Sequence, residues 1–123
     1  MSEKQVLVPG PDHPITISTT DETVVVRFAG RIIAKTDDAL VLRESTYRPV
    51  FYLPLEAVDA TVLEPSDHQT YCPYKGDASY YSVMADGEEV PNVGWEYRAP
   101  FDAVALIKDH VAFYASRVSI EVG

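Results

Sequence analysis

Apolar and polar residues alternate with a period of two along much of the chain, and this pattern predicts short β-strands. Ile15 and Ile17 alternate with polar residues, and Val24, Val26 and Phe28 repeat the same spacing. The same reasoning predicts further strands at residues 31–34, 39–42, 47–53, 61–63, 79–84, 93–98, 110–114 and 118–122.

Proline and glycine residues determine how these segments can pair. Asp86-Gly87 is typical of a tight hairpin turn, so the strands on either side of it are expected to pair with each other. Pro49 lies inside the segment at residues 47–53. Because proline cannot donate a hydrogen bond to a neighbouring strand, we predict an edge strand or a bulge there.

Two segments have a helical pattern, and residues 110–114 could continue the second of them, although we favour a strand there. Pro54 can begin a single helical turn over residues 54–58, since proline is tolerated at the first helical position. A short helix over residues 101–107 would place Ala103, Val104 and Ile107 on one side. Seven to nine short strands among these candidate segments, with one short helix, predict a mainly β domain that is a compact sandwich or barrel-like.

The chain length of 123 residues is that of one ordinary domain, which we place at residues 1–123. Apolar residues make up 46% of the chain, which is enough to form a core. If any part is flexible, we expect it to be an N-terminal arm at residues 1–12.

Cysteine content and charge narrow the choice of compartment and partner. The single thiol, Cys72, cannot form an intramolecular disulfide, and no apolar stretch approaches the roughly 20 residues that span a bilayer. We therefore expect a cytoplasmic protein. The formal net charge is −9 and the ten basic residues are scattered, so neither duplex nucleic acid nor a membrane is an expected partner.

The CPYKG segment, residues 72–76, offers the most chemistry. Pro73 restricts the backbone and Gly76 permits a positive φ, so Tyr74 and Lys75 would be held in fixed directions. A binding loop needs such a geometry, and so does a tight structural turn. Cys72 is a candidate nucleophile if a neighbour such as Lys75 activates its thiol, whereas a buried free cysteine is usually inert.

Two basic residues are candidates for binding an anion. Lys75 can hold a phosphate or a carboxylate as a point charge, or it serves as a surface residue or an ion-pair partner. Arg48 is expected either to face the same pocket or to pair with Glu44, four residues before it.

Tyrosine is abundant, with eight residues in the chain, and one tryptophan accompanies it. These side chains combine an apolar body with a polar tip, which suits a pocket that stacks on a ring. They also pack ordinary β cores. We predict a ligand site lined by Arg48, Tyr52, Tyr74, Lys75, Tyr81, Trp95 and Tyr97.

Several strings of residues resemble the family known as domain of unknown function 427. The CPYKG segment with its flanking aromatic residues is the most specific of them, and the resemblance covers about residues 13–122. The other strings are residues 47–52, Ser66, Thr70, and residues 78–82, 95–97 and 111–114.

This resemblance implies a fold in which two antiparallel sheets lean together as a β-tent. Several β-tent proteins hold zinc on paired Cys-x-x-Cys motifs, which the lone Cys72 excludes here. The family is sometimes labelled nucleotidyltransferase-like, and the better-known nucleotidyltransferases hold magnesium between paired aspartates. Asp37 and Asp38 are adjacent and would point to opposite faces of a strand, so we expect no metal and no cofactor.

Three hypotheses for the function remain open at this point. The first is a pocket for a small anionic or nucleotide-like ligand. The alternatives are a thiol-dependent enzyme that uses Cys72, and a protein-interaction domain with an aromatic patch. The distinguishing observation is whether Arg48, Cys72, Lys75 and Trp95 converge on one cleft.

Overall fold

In the computed structural model, which describes residues 4–123, the chain forms ten β-strands. They are β1 (Ile15–Thr19), β2 (Val24–Phe28), β3 (Arg31–Thr36), β4 (Leu40–Glu44), β5 (Val50–Pro54), β6 (Leu63–Cys72), β7 (Gly76–Ala85), β8 (Glu88–Glu96), β9 (His110–Phe113) and β10 (Ser119–Val122). Two 3₁₀ segments, Leu55–Ala57 and Asp102–Ile107, lie between strands. Residues 1–3 of the expected N-terminal arm lie outside the described residues.

The strands form two antiparallel sheets, which confirms the predicted fold class. The large sheet has the strand order β1-β4-β5-β9-β8-β7-β6, and the small sheet has the order β10-β2-β3. The predicted hairpin at Asp86-Gly87 joins β7 to β8, and their register shifts between Tyr81 and Val83. Two neighbouring pairs of the large sheet, β1–β4 and β5–β9, join strands that are distant in sequence, and this brings separated segments together.

The main core lies between the two sheets. Val24 and Val26 of β2 cluster with Val83 and Val111 of the large sheet, and all four are fully buried. Val25, which lies between the first two, is only partly buried, as alternation predicts. Burial of these side chains is the main stabilisation of the sheet pair.

A second core covers the opposite face of the large sheet. Successive residues of a strand point to opposite faces, so Tyr80 belongs to this second core and Tyr81 to the main one. Val104 and Ile107 of the second 3₁₀ segment belong to this core, as predicted. Ala103 was predicted on the same side but is exposed, because the backbone departs from helical geometry at Val104. The large sheet is therefore buried on both faces over much of its area.

Pro49 does not produce an edge strand or a bulge in β5. The strand begins at Val50, one residue after the proline, and lies inside the large sheet between β4 and β9. The prediction was wrong because Pro49 stands just outside the ladder, where no backbone donor is required.

β6 is longer than the strand predicted at residues 61–63. It begins at Leu63 and continues to Cys72, with a shift in its register against β7 between Pro65 and Gln69. Its residues are mostly polar and exposed, so no alternation indicated the strand. Since the strand lies at the edge of the sheet, charged and polar residues there also protect its free edge.

The two helical segments are 3₁₀ turns. The second contains Val104 at φ −127°, which breaks it into two parts. No helix among residues 4–123 is long and apolar enough to cross a membrane.

Candidate functional site

The CPYKG segment forms the turn between β6 and β7. Cys72 pairs with Gly76 across the turn, and the backbone N–H of Lys75 donates to the carbonyl of Cys72 at 3.2 Å. Gly76 has φ +112°, and a Cβ there would lie 3.3 Å from the backbone oxygen of Ala99. The turn therefore requires glycine, and its backbone sets the direction in which Lys75 points.

Lys75 reaches a charged cluster that it forms with Glu44 and His13. Nζ of Lys75 donates to Oε1 of Glu44, and Nε2 of His13 lies 2.8 Å from Oε2. An ionised carboxylate can only accept, so both nitrogens are donors. The side chains of Lys75 and Glu44 are only 12% and 11% exposed. Charges this deeply placed occur mainly where they are paired.

Glu44 is not the partner of Arg48, so that alternative is wrong. The carboxylate of Glu44 is occupied by two other donors, and Arg48 is exposed and forms no ion pair with another residue in the range 4–123. His13 was not predicted as a site residue. It lies 31 residues before Glu44, and no local pattern indicates the contact. The β1–β4 pairing of Ile15 with Glu44 brings it there.

Tyr74 stacks on the ring of His13, with ring centroids 4.0 Å apart and planes inclined by 6°. Tyr47 approaches the same imidazole edge-on, at 6.2 Å. The chain before His13 also contacts the CPYKG turn, since the backbone N–H of Leu7 donates to the carbonyl of Pro73 at 2.9 Å. Tyr74 thus belongs to the outer side of the charged cluster.

The charged cluster changes the acidity of Glu44. Burial by itself would raise the pKa of this carboxyl group. The hydrogen bonds from Lys75 and His13, together with their charges, outweigh burial and hold the pKa below its ordinary value of 4.5. Glu44 is therefore ionised in the folded protein at any pH near neutral.

We expect the stability of the protein to depend on pH through Glu44. Its pKa is lower in the folded state, so the unfolded chain binds the proton more readily and acid favours unfolding. The contribution is fully present above about pH 4.5 and is lost as the pH falls through the folded-state pKa. Urea denaturation of wild type and Glu44→Gln down to about pH 3 measures it. The two free energies of unfolding should converge in acid, and parallel curves would contradict this assignment.

Tyr52 and Tyr97 lie beside the charged cluster in the second core, where Cys72 is half-buried against them. Nζ of Lys75 lies 5.8 Å from the ring centroid of Tyr97. Burial raises the pKa of both tyrosine hydroxyls, and the negative charge of Glu44 adds to the shift. Both hydroxyls therefore stay protonated and neutral under physiological conditions.

Tyr81 lies on the other face of the large sheet. Its hydroxyl donates to Oε1 of the buried Glu96, which also accepts from Nε of Arg98 at 3.2 Å. The sheet separates this group from Tyr52 and Tyr97. The predicted aromatic set therefore does not form one continuous wall.

A cleft of about 460 Å³ opens where β5 and β9 separate. These two strands pair only at Leu53 with Val111 and at Pro54 with His110, so the beginning of β5 diverges from the end of β9. Arg48 carries the one charge among the described residues that line the cleft. The apolar walls are formed chiefly by Val50, Phe51, Trp95, Phe113, Tyr114 and Ile120.

Trp95 connects this cleft to the charged cluster. Its ring packs on Tyr114 with centroids 4.5 Å apart, and its Nε1 donates to the hydroxyl of Tyr52 at 3.3 Å. Of the predicted site residues, Arg48 and Trp95 line the cleft itself. The others fall into three places: Tyr52, Tyr97, Cys72 and Lys75 at the second core, Tyr74 outside His13, and Tyr81 on the opposite face.

The adjacent aspartates Asp37 and Asp38 lie away from both sites. Oδ1 of Asp37 accepts from the hydroxyl of Thr23 at 2.5 Å, and Asp38 lines a separate depression beside the first 3₁₀ segment. Within residues 4–123, no three His, Cys, Asp or Glu side chains come together in a way that could hold a metal ion.

Residues 16–123 match the family model described as Domain of unknown function (DUF427). No curated protein matches the chain. The matched stretch contains the CPYKG segment, Glu44 and all of the residues that line the cleft, whereas His13 lies just before it. The chain therefore belongs to the family of Domain of unknown function (DUF427), the family that its sequence resembles.

Proposed function

We propose that this protein binds a small ligand that combines a flat ring with an anionic group, in the cleft between β5 and β9. The observation that carries this proposal is the lining of the cleft. Aromatic side chains from three strands, Phe51, Trp95 and Phe113, stand beside the exposed guanidinium of Arg48.

The dimensions and chemistry of the cleft suit such a ligand. Its volume of about 460 Å³ lies in the range of small-molecule sites. Aromatic rings favour offset or edge-on contacts with a second ring, and Trp95 and Tyr114 already adopt a tilted arrangement around the cleft. A flat ring in the cleft would contact the aromatic side chains that line it.

Arg48 supplies the polar anchor. Its guanidinium has no carboxylate partner among residues 4–123, so binding an anion there would not require an existing ion pair to break. A guanidinium binds carboxylate or phosphate through two parallel hydrogen bonds. Lys75 is a poorer anchor, because Glu44 already neutralises its charge.

An aromatic carboxylate is the simplest ligand of this class, and a nucleotide is its larger form. In a nucleotide the base would occupy the cleft and a phosphate would meet Arg48. The nucleotidyltransferase label that accompanies the family is consistent with the nucleotide form of the proposal. The cytoplasmic location expected for a chain with one thiol, Cys72, would give access to either ligand.

Trp95 provides a direct test, because it is the one tryptophan in the chain and it lines the cleft. We expect saturable changes in its fluorescence on titration with benzoate or with adenosine monophosphate. Arg48→Ala should weaken binding by roughly tenfold, which is the typical cost of one charge-assisted hydrogen-bonded contact. Benzamide, which keeps the ring and lacks the charge, should bind wild type and Arg48→Ala alike.

Arg43→Ala is the matched control. Arg43 is also an exposed arginine, but it lies outside the cleft, and its guanidinium contacts Ser18 at 3.3 Å. This variant should bind like wild type. The proposal is wrong if neither anion gives a saturable change, or if Arg48→Ala and Arg43→Ala bind with the same affinity.

A further inference from the structure

A second, more polar groove lies on the small sheet. It has a volume of about 480 Å³ and runs between the β2–β3 turn and the segment that leads into β10. Two arginines and two serines line it: Arg27, Arg117, Ser116 and Ser119. In a chain with a formal net charge of −9, two arginines beside one groove form a local concentration of positive charge.

Strand pairing places Arg27 and Ser119 together. They are direct partners in the antiparallel ladder between β2 and β10, so their side chains emerge on the same face as close neighbours. Glu121, two residues further along β10, accepts from Nε of Arg27 at 3.1 Å. This contact orients the guanidinium through Nε and leaves its two terminal amino groups without a hydrogen-bond partner among the described residues.

Arg117 stands in the turn before β10. Its backbone N–H donates to the carbonyl of Tyr114 at 3.0 Å, and the N–H of Val118 donates to the same oxygen at 3.3 Å, so the turn is held in place. The guanidinium is exposed and has no carboxylate within ion-pair distance in the part of the chain that the structure describes. Glu121 offsets the charge of Arg27, and Arg117 therefore supplies the excess positive charge.

The β2–β3 turn also lines the groove. Ala29 and Gly30 form the β2–β3 turn, with φ angles of 53° and 77°. A Cβ placed on Gly30 would meet nothing within 4 Å, so the space above this turn is open. Gly30 therefore leaves room for a ligand between the arginines and this turn.

We propose that this groove binds a phosphate group, separately from the ligand of the β5–β9 cleft. Guanidinium groups match the oxygen geometry of phosphate through paired hydrogen bonds. Serine hydroxyls can donate to the remaining oxygens. The same recognition serves inorganic phosphate and a phosphate monoester.

The test is a titration of the ¹⁵N-labelled protein with inorganic phosphate at constant ionic strength, followed by proton–nitrogen correlation spectra. Signals of Gly30, Ser119 and the Nε–H groups of Arg27 and Arg117 should move and saturate, with a dissociation constant of about 1–10 mM. Arg117→Ala should raise this constant by about tenfold. Arg43→Ala, which removes an exposed arginine next to a serine elsewhere, should leave it unchanged.

A parallel titration with phenyl phosphate separates the two sources of the group. Equal affinity for both compounds supports a site for free phosphate, and tighter binding of phenyl phosphate supports a phosphate monoester. The proposal is overturned if the signals drift without saturation, or if Arg117→Ala binds as tightly as wild type. Affinities are taken only from the signals of Gly30, Ser119, Arg27 and Arg117. Phenyl phosphate that binds in the β5–β9 cleft would instead move the signals of Arg48 and Trp95, so the two proposals succeed or fail separately.

Discussion

Replacement of Glu44 by glutamine is expected to lower the free energy of unfolding by about 2–3 kcal/mol at neutral pH, since it breaks a mostly buried ion pair. Glutamine keeps the shape of the side chain but not its charge. Lys75, which is 12% exposed, would then hold a positive charge without its carboxylate partner, and His13 would lose the same acceptor. Urea denaturation followed by circular dichroism measures the difference.

Asp77→Asn is the matched control for this variant. Asp77 pairs with Lys4 at 2.7 Å, but both side chains are more than 60% exposed. Water screens such a pair, so its loss should leave the free energy of unfolding nearly unchanged. A double variant, Glu44→Gln with Lys75→Met, should recover much of the lost stability, because it also removes the unpaired charge. Equal effects of Glu44→Gln and Asp77→Asn would show that the charged cluster contributes no more than a surface pair.

Replacement of Gly76 by alanine is expected to destabilise the protein by about 2–3 kcal/mol, because it imposes a strained backbone on a crowded turn. Gly76 has φ +112°, a region that residues with a Cβ rarely adopt, and the new Cβ would lie 3.3 Å from the carbonyl oxygen of Ala99. Because that oxygen is a backbone atom, it cannot rotate away from the new Cβ as the end of a side chain could. Relief of the strain would also move Lys75, which directly precedes this residue, away from Glu44.

Gly87→Ala separates the two causes of this effect. Gly87 lies in the β7–β8 turn with φ +79°, and a Cβ there would meet nothing within 4 Å. Gly87→Ala should therefore lower the free energy of unfolding only by the conformational strain, about 1 kcal/mol. Denaturation curves of the two variants give the comparison. A loss at Gly76 no larger than that at Gly87 would mean that the contact with Ala99 is unimportant.

The CPYKG segment has a specific physical role in the fold. It is a turn whose backbone sends Lys75 towards Glu44, while Cys72 packs against the aromatic side chains of the second core. Trp95 links that core to the β5–β9 cleft through Tyr52. The segment therefore supports the region behind the proposed binding cleft, and the cleft itself is lined by other residues.

Local patterns in the sequence were sufficient to predict most of the strands. The alternation at Val24, Val26 and Phe28 identified β2, and the Asp86-Gly87 turn identified the β7–β8 hairpin. These signals are local, because the side chains of a strand alternate every second residue. Most of β6 was not predicted, because an exposed edge strand has no buried face to produce the pattern.

The candidate site was predicted only in part, since the resemblance to the family pointed to residues but not to their partners. Arg48 and Trp95 do share a cleft, whereas Lys75 and Cys72 lie at the second core. Alternation along a strand shows which of its residues share a face, but it does not show which face meets the site. Tyr81, for example, is separated from its neighbour Tyr80 by the sheet itself.

The sequence by itself determined the mainly β fold and the family, and it drew attention to the CPYKG segment. Those conclusions depend on residue types at short spacings, which can be read along the chain. Only the tertiary structure decided that Glu44 joins His13 and Lys75, each 31 residues away, and that Arg48 has no ion-pair partner among residues 4–123. Contacts of this kind arise when distant strands pair and fix the positions of their side chains, and no local pattern encodes that outcome.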